Sequence, residues 1–189
     1  MSIKQIIYLS FLILGGCKNS SHVEVPVNNS SNIVVAIKFI DAFYSFNRDS
    51  LASLMSNAEA SQPNILYYQK WAECAHYEIL KRNTFFEPSD SLVIFPVTVK
   101  DDLMAALKIA FNVTDTFHIS FRHGRIRSVE TASNDLNTYY DAKSWVKQNR
   151  PEFIEKPCEG IWDGGPTPCE CVKGMLKGFV EFEAVTKVK

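Results

Sequence analysis

The sequence predicts an α+β fold: a cone-like, curved antiparallel sheet wrapped around an N-terminal helix, with an added C-terminal helix. Three observations carry this expectation. Apolar residues recur at helical spacing from residue 33 to residue 75. The period then shifts toward two, through two strand-like stretches and a long hairpin over residues 114–131. Helical spacing returns after the hairpin and again near the C-terminus. Leading helices followed by a run of strands make an α+β arrangement, and a curved sheet closing on the first helix would give a cone. The chain has 189 residues, which suits one domain with a tail. Its 46% hydrophobic content excludes disorder as the main state. Its net charge of -1 lacks the basic excess of a nucleic-acid binder.

The elements follow in order. Ser31 or Asn32 can cap a helix running to about Ser45, because Ile33, Ala36, Ile37, Ile40 and Tyr44 share one face. Asp49 can cap a short second helix over residues 50–56. Ser61-Gln62-Pro63 opens a third, to about Ala75, with Ile65, Tyr68, Trp71, Ala72 and Ala75 on one face. A first strand is expected over residues 77–86, a turn at Pro88-Ser89-Asp90 and a second strand over residues 92–99. Pro96 cannot donate to a ladder, which points to a sheet edge or a bulge. Residues 101–109 suit a short helix with Asp101 and Asp102 at its N-terminus.

The clearest hairpin alternates Phe117, Ile119 and Phe121 with His118, Ser120 and Arg122, and turns at Gly124. With Phe121 opposite Ile126, Arg122 falls opposite Arg125, and like charges directly opposed are unfavourable. The two arginines should therefore splay into the loop. The tip reads as a solvated turn; the alternative is an anion site made by Arg122, His123, Arg125 and Arg127. Ser133 or Asn134 can cap a helix to about Gln148, ended by Asn149-Arg150-Pro151. Thr167-Pro168-Cys169-Glu170 fits a capping box with proline at the first helical position, so a last helix is expected over residues 168–182.

The N-terminus gives an address. Lys4 and a nine-residue apolar stretch, residues 6–14, have the length of a signal-peptide core and fall short of the roughly 20 residues that span a bilayer. The stretch ends Leu14-Gly15-Gly16-Cys17, which resembles a bacterial lipobox. That resemblance implies a signal peptide over residues 1–16, cleavage before Cys17 and a lipid on its thiol, making the membrane a partner. Each buried CH2 of such an anchor contributes about 0.8 kcal/mol. Lys18, rather than Asp, follows the cysteine, which by resemblance favours the outer membrane in a Gram-negative host. Residues 17–31 are rich in Ser and Asn and read as a flexible tether to a domain over residues 32–189.

Four cysteines remain: Cys74, Cys158, Cys169 and Cys171. Export permits disulfides. Cys158 to Cys171 would close a loop of glycines and prolines with little core of its own, with Cys169 as the alternative partner of Cys158. A C-x-C spacing with no nearby histidine argues against a zinc site, and no C-x-x-C suggests a redox pair.

Two segments carry a family resemblance. Residues 33–55 (IVVAIKFIDAFYSFNRDSLASLM) resemble the opening helices of SnoaL-like proteins of the nuclear transport factor two superfamily. Residues 115–129 (DTFHISFRHGRIRSV) resemble their paired last strands, and residues 145–158, with Arg150-Pro151-Glu152, an extension found in a subset. The similarity covers roughly residues 32–155, and the Cys-containing C-terminal helix departs from the minimal family fold. The resemblance implies isomerases, cyclases and dehydratases that use no cofactor, and also members that only bind. It implies dimers through the open sheet face, which the extra helix could block; the chain's own oligomeric state is left open.

Catalysis on such a fold needs a carboxylate or histidine inside the cone, where burial tunes its pKa. Candidate groups are His76, His118 and Asp115, with Asp101 expected to cap its helix instead and Asp41 to be solvated. Tyr68 and Trp71, with Tyr67, could line a ligand mouth or simply fill core. There is no G-x-S-x-G, H-E-x-x-H, G-x-x-x-x-G-K or G-x-G-x-x-G. The expectation is a lipid-anchored envelope domain that binds a small apolar ligand or a partner protein, with no metal or cofactor. The alternative is a cofactor-free isomerase, cyclase or dehydratase.

Overall fold

The computed structural model describes residues 31–159 and 169–187. The signal peptide, Cys17, the tether up to residue 30 and the Thr167-Pro168 start of the last helix lie outside the described residues. The elements run α1 (Ser31–Tyr44), α2 (Arg48–Leu54), α3 (Gln62–Cys74), β1 (Glu78–Arg82), β2 (Phe86–Ser89), β3 (Leu92–Lys100), α4 (Asp102–Ala106), β4 (Val113–Arg122), β5 (Arg125–Ser133), α5 (Asn137–Asn149), α6 (Pro151–Ile154) and α7 (Cys169–Thr186). This is a mixed α+β fold with an open, antiparallel five-stranded sheet and a C-terminal helix.

The sheet order is β1-β3-β4-β5, with β2 also pairing to β3. Alternation decides its faces. Val93, Phe95, Val97 and Val99 of β3 point inward, as do Val113, Asp115, Phe117, Ile119 and Phe121 of β4. Against this face lie Phe39 and Phe43 of α1, whose rings meet Phe117 edge-on at 5.7 and 5.0 Å. Gln69 of α3 is buried and donates to the carbonyls of Ala42 and Phe43, tying α3 to the end of α1.

A second core forms between α3, α4, α5 and α7, around Trp71, Leu103, Val146, Met175 and Phe179. Helix α7 packs chiefly on α3, α4, α5 and α6. Its approach depends on glycines. A Cβ on Gly178 would sit 2.3 Å from Val146, and one on Gly174 would sit 2.0 Å from the Phe153 carbonyl oxygen. Two disulfides lock this layer: Cys158 is bonded to Cys171, and Cys74 on α3 to Cys169 at the start of α7.

Several local expectations are corrected. The stretch read as one strand over residues 77–86 is divided between β1 and β2, and β2 takes in Pro88 and Ser89, so the turn falls on Asp90 and Ser91. Pro96 sits on β3, a central strand rather than an edge. Its carbonyl accepts from Asn83, so its missing N–H falls on the same side, in the break between β1 and β2 where no ladder partner is needed. Helix α2 is capped by Asn47 rather than Asp49: the Asn47 side chain accepts from the Ser50 N–H. Neither Ser133 nor Asn134 caps α5, which begins at Asn137; both side chains serve β4 instead. Asp101 does cap α4, accepting from the Met104 N–H at 2.9 Å. After Asn149, Pro151 starts the short α6 rather than simply ending the helix, and α7 runs on to Thr186.

Candidate functional site

The ladder between β4 and β5 puts Asp115 directly opposite Ser133. Asp115 shares the inward phase of Phe117 and Ile119 and is fully buried. A lone carboxylate there would be costly, so it requires donors. Ser133 donates to its Oδ1 at 2.7 Å and Tyr44, the last residue of α1, to its Oδ2 at 3.1 Å. The Tyr68 hydroxyl of α3 lies near enough to act on its carboxyl as well. Burial pushes the Asp115 carboxyl above its ordinary range; the hydroxyls of Tyr68, Ser133 and Tyr44 pull it back only in part. Burial likewise raises Tyr68 and Tyr44, which keeps both hydroxyls protonated and able to donate.

Above this network opens a cavity of about 170 Å3, lined by Tyr67, Tyr68 and Trp71 of α3, Tyr77, Ser133, Asp135, and Tyr139 and Lys143 of α5. Its shape follows from local sequence. Tyr67, Tyr68 and Trp71 fall within one turn of α3, so their rings share a side. Tyr77 follows the tight turn at His76 and meets Tyr68 edge-on at 6.4 Å. Tyr139 is held from behind by Phe179 of α7, edge-on at 5.5 Å. Asp135 lies at the rim, where burial raises its carboxyl, and burial lowers the Lys143 ammonium beside it.

The walls are aromatic rings, and the hydroxyls of the tyrosines and Ser133, with Asp135 and Lys143, make about half of the lining polar. A cavity of about 150 Å3 accommodates a benzene-sized molecule, so this one fits a single ring. Such a guest would reach the Tyr68 and Ser133 hydroxyls, while Asp115 stays sealed beneath them.

Tyr68 and Trp71 therefore line the cleft, and Asp115 lies under it. The other candidates are elsewhere. His118 pairs with Ile94 and Glu130 on the outer face of the sheet, out of phase with Phe117, and so points away from the interior. His76 is on the surface, its ring 2.6 Å from Asp102 with 74% of its side chain exposed. Asp41 is exposed and ion-paired to Arg82. Asp101 is spent on its cap, and burial raises its carboxyl to about 6. Among the described residues, no group of three or more His, Cys, Asp or Glu is placed to hold a metal, and no helix is long and apolar enough to cross a membrane.

Sequence reasoning missed Tyr44, Tyr77, Ser133 and Tyr139 as members of the site. Tyr44 had been assigned to an apolar face and Ser133 to a cap. The turn at residues 123 and 124 alone counts Ala132 opposite Asp115; the register shift between Ser120 and Phe121 moves Ser133 into that place, and no sequence signal marks the shift. The chain matches no protein-family model, no curated protein and no solved structure.

Proposed function

We propose that this is an exported, lipid-anchored protein of the cell envelope whose domain holds a small, largely apolar ligand in the tyrosine-lined cleft, without chemical turnover. The cleft carries the reading. It has room for one ring, aromatic walls, and two hydroxyls offered by Tyr68 and Ser133. Asp115 acts as a positioning residue: it holds the Ser133 hydroxyl and so fixes the direction in which a ligand oxygen or nitrogen is recognised there. Tyr44 and Ser133 both donate hydroxyls to it, and it does not line the cavity, which favours binding over general-base chemistry.

The anchor rests on Leu14-Gly15-Gly16-Cys17 after the apolar stretch, with the outer membrane as the site in a Gram-negative host. Two disulfides suit an oxidising compartment. A SnoaL-like cone is the architecture we assign, supported by α1 lying on the inward face of the sheet and by the element order.

The test is thermal denaturation with phenol, benzyl alcohol and the wider cyclododecanol. The two single-ring compounds should stabilise the chain in a concentration-dependent way, the effect should shrink in Trp71→Phe, and cyclododecanol should do nothing. No stabilisation by either ring compound removes the reading.

A further inference from the structure

The β4–β5 hairpin ends in a cluster that the cleft does not use. Its loop is the two residues His123 and Gly124, at φ 53° and 70°, the tight connection that suits the twist of the strands. This sets Arg122 directly opposite Arg125. A register shift between Ser120 and Phe121 leaves an extra residue on β5, and Arg127 emerges exposed beside buried Ile126. Arg122, His123, Arg125 and Arg127 line one hollow of about 430 Å3, together with Asn57 and Ile126. Arg82 and Arg150 are each paired, to Asp41 and Glu181, but among the described residues no carboxylate pairs with Arg122, Arg125 or Arg127. Like charges set opposite one another destabilise a hairpin, and an anion seated in the hollow would relieve that repulsion. Guanidinium groups present paired N–H donors that match phosphate oxygens.

The position of the hollow identifies the anion's source. Gly124 faces Ser31: a Cβ built on it would lie 3.9 Å from the Ser31 hydroxyl. Asn32 donates to the Asp90 carbonyl and the Phe121 N–H to the Ser91 carbonyl, so the start of α1, the β2–β3 turn and the hairpin tip share one end of the domain. The thirty residues that precede the described structure enter at that same end. Fourteen residues separate Cys17 from Ser31, so an anchor at Cys17 would hold this end of the domain within their reach of the surface.

From this arrangement we infer that the hairpin tip is a binding site for the phosphate of an anionic phospholipid headgroup, docking the domain on its own membrane. The choice of a headgroup over a free phosphate rests on the anchored reading above. The lipid at Cys17 would hold the chain on the membrane, and the basic tip adds a second contact that fixes which end of the domain faces the bilayer.

The test uses the mature chain, residues 17–189, carrying Cys17→Ser, so that neither an acyl group nor the apolar leader contributes, sedimented with phosphatidylcholine vesicles and with vesicles containing phosphatidylglycerol. The chain should bind the anionic vesicles at least about tenfold more tightly, with about fivefold lost per arginine removed, and binding should weaken with salt. Replacing Arg122, Arg125 and Arg127 together by Gln should abolish the preference, whereas replacing all three by Lys should retain most of it; circular dichroism checks that both variants are folded. Equal binding to both vesicles, or an unchanged preference in the folded Gln variant, overturns the proposal. Thermal stabilisation by inorganic phosphate, at matched ionic strength, without vesicle binding overturns the headgroup assignment. The mass of the mature wild-type chain reports separately on the lipid at Cys17, so a failed anchor and a failed headgroup site are told apart.

Discussion

Ser133 and Asp115 face each other across the β4–β5 ladder, joined by a 2.7 Å hydrogen bond. One is at the exposed end of a strand and the other is fully buried, so the bond links the rim of the cleft to the core. Tyr44 donates to the other carboxylate oxygen at 3.1 Å, and the Tyr68 hydroxyl lies near by.

Asp115→Ala should be among the most damaging substitutions. It strips the acceptor from the Tyr44 and Ser133 hydroxyls; an unsatisfied donor in the interior costs about 1–3 kcal/mol, and the cavity left adds to it. Urea unfolding should show a loss of about 3 kcal/mol or more, with Asp115→Asn losing clearly less because its amide oxygen still accepts. Equal losses would mean that the cavity, and not the network, sets the cost.

Asp101 predicts a pH dependence. Its folded-state value of about 6 lies above the ordinary 3.8, so between these values the folded chain binds more protons than the unfolded one. Stability from this group is therefore greatest below about pH 4 and falls as pH rises toward 6, by roughly 2–3 kcal/mol. Asp115, raised in the same direction, adds to the fall. Asp101→Asn keeps a capping side chain on α4 and removes the charge. Its urea midpoint should change less than that of the wild type between pH 4 and 6, and a parallel pH profile would contradict this.

The two disulfides should differ in weight. Cys74–Cys169 closes a sequence separation of 95 and Cys158–Cys171 one of 13. On chain entropy the longer loop contributes about 4.7 kcal/mol and the shorter about 3 kcal/mol. Urea unfolding of the double-alanine variants, each pair replaced in turn, should rank them in that order.

Gly178→Ala should cost about 1–3 kcal/mol, as overpacking does, because its Cβ would fall 2.3 Å from Val146. Combining it with Val146→Ala should recover part of that loss. A double-mutant cycle with no coupling would show that α5 and α7 separate freely.

Much of this could be read from residue pattern alone. The phase of β4 is set by Phe117, Ile119 and Phe121, and it carries Asp115 inward and His118 outward. The pairing of Arg122 with Arg125 follows from the turn at Gly124. What escaped reading depended on distant partners. Pro96 pointed to an edge or a bulge, and the break that accommodates it lies at Asn83, in another part of the chain. Cys74 and Cys169 meet only because α7 folds back over α3, which no local pattern reveals. Ser133 looked like a cap because its real partner, Asp115, is eighteen residues earlier.

The central claim is the ring-sized cleft above Asp115. Crystals soaked with 4-bromophenol test it most directly, through the anomalous signal of the bromine. The account predicts one strong site between Trp71, Tyr68 and Tyr139, with the phenol oxygen within hydrogen-bond distance of Ser133 or Tyr68. Bromine found only on the outer surface, with the cleft closed by its own tyrosines, would contradict it.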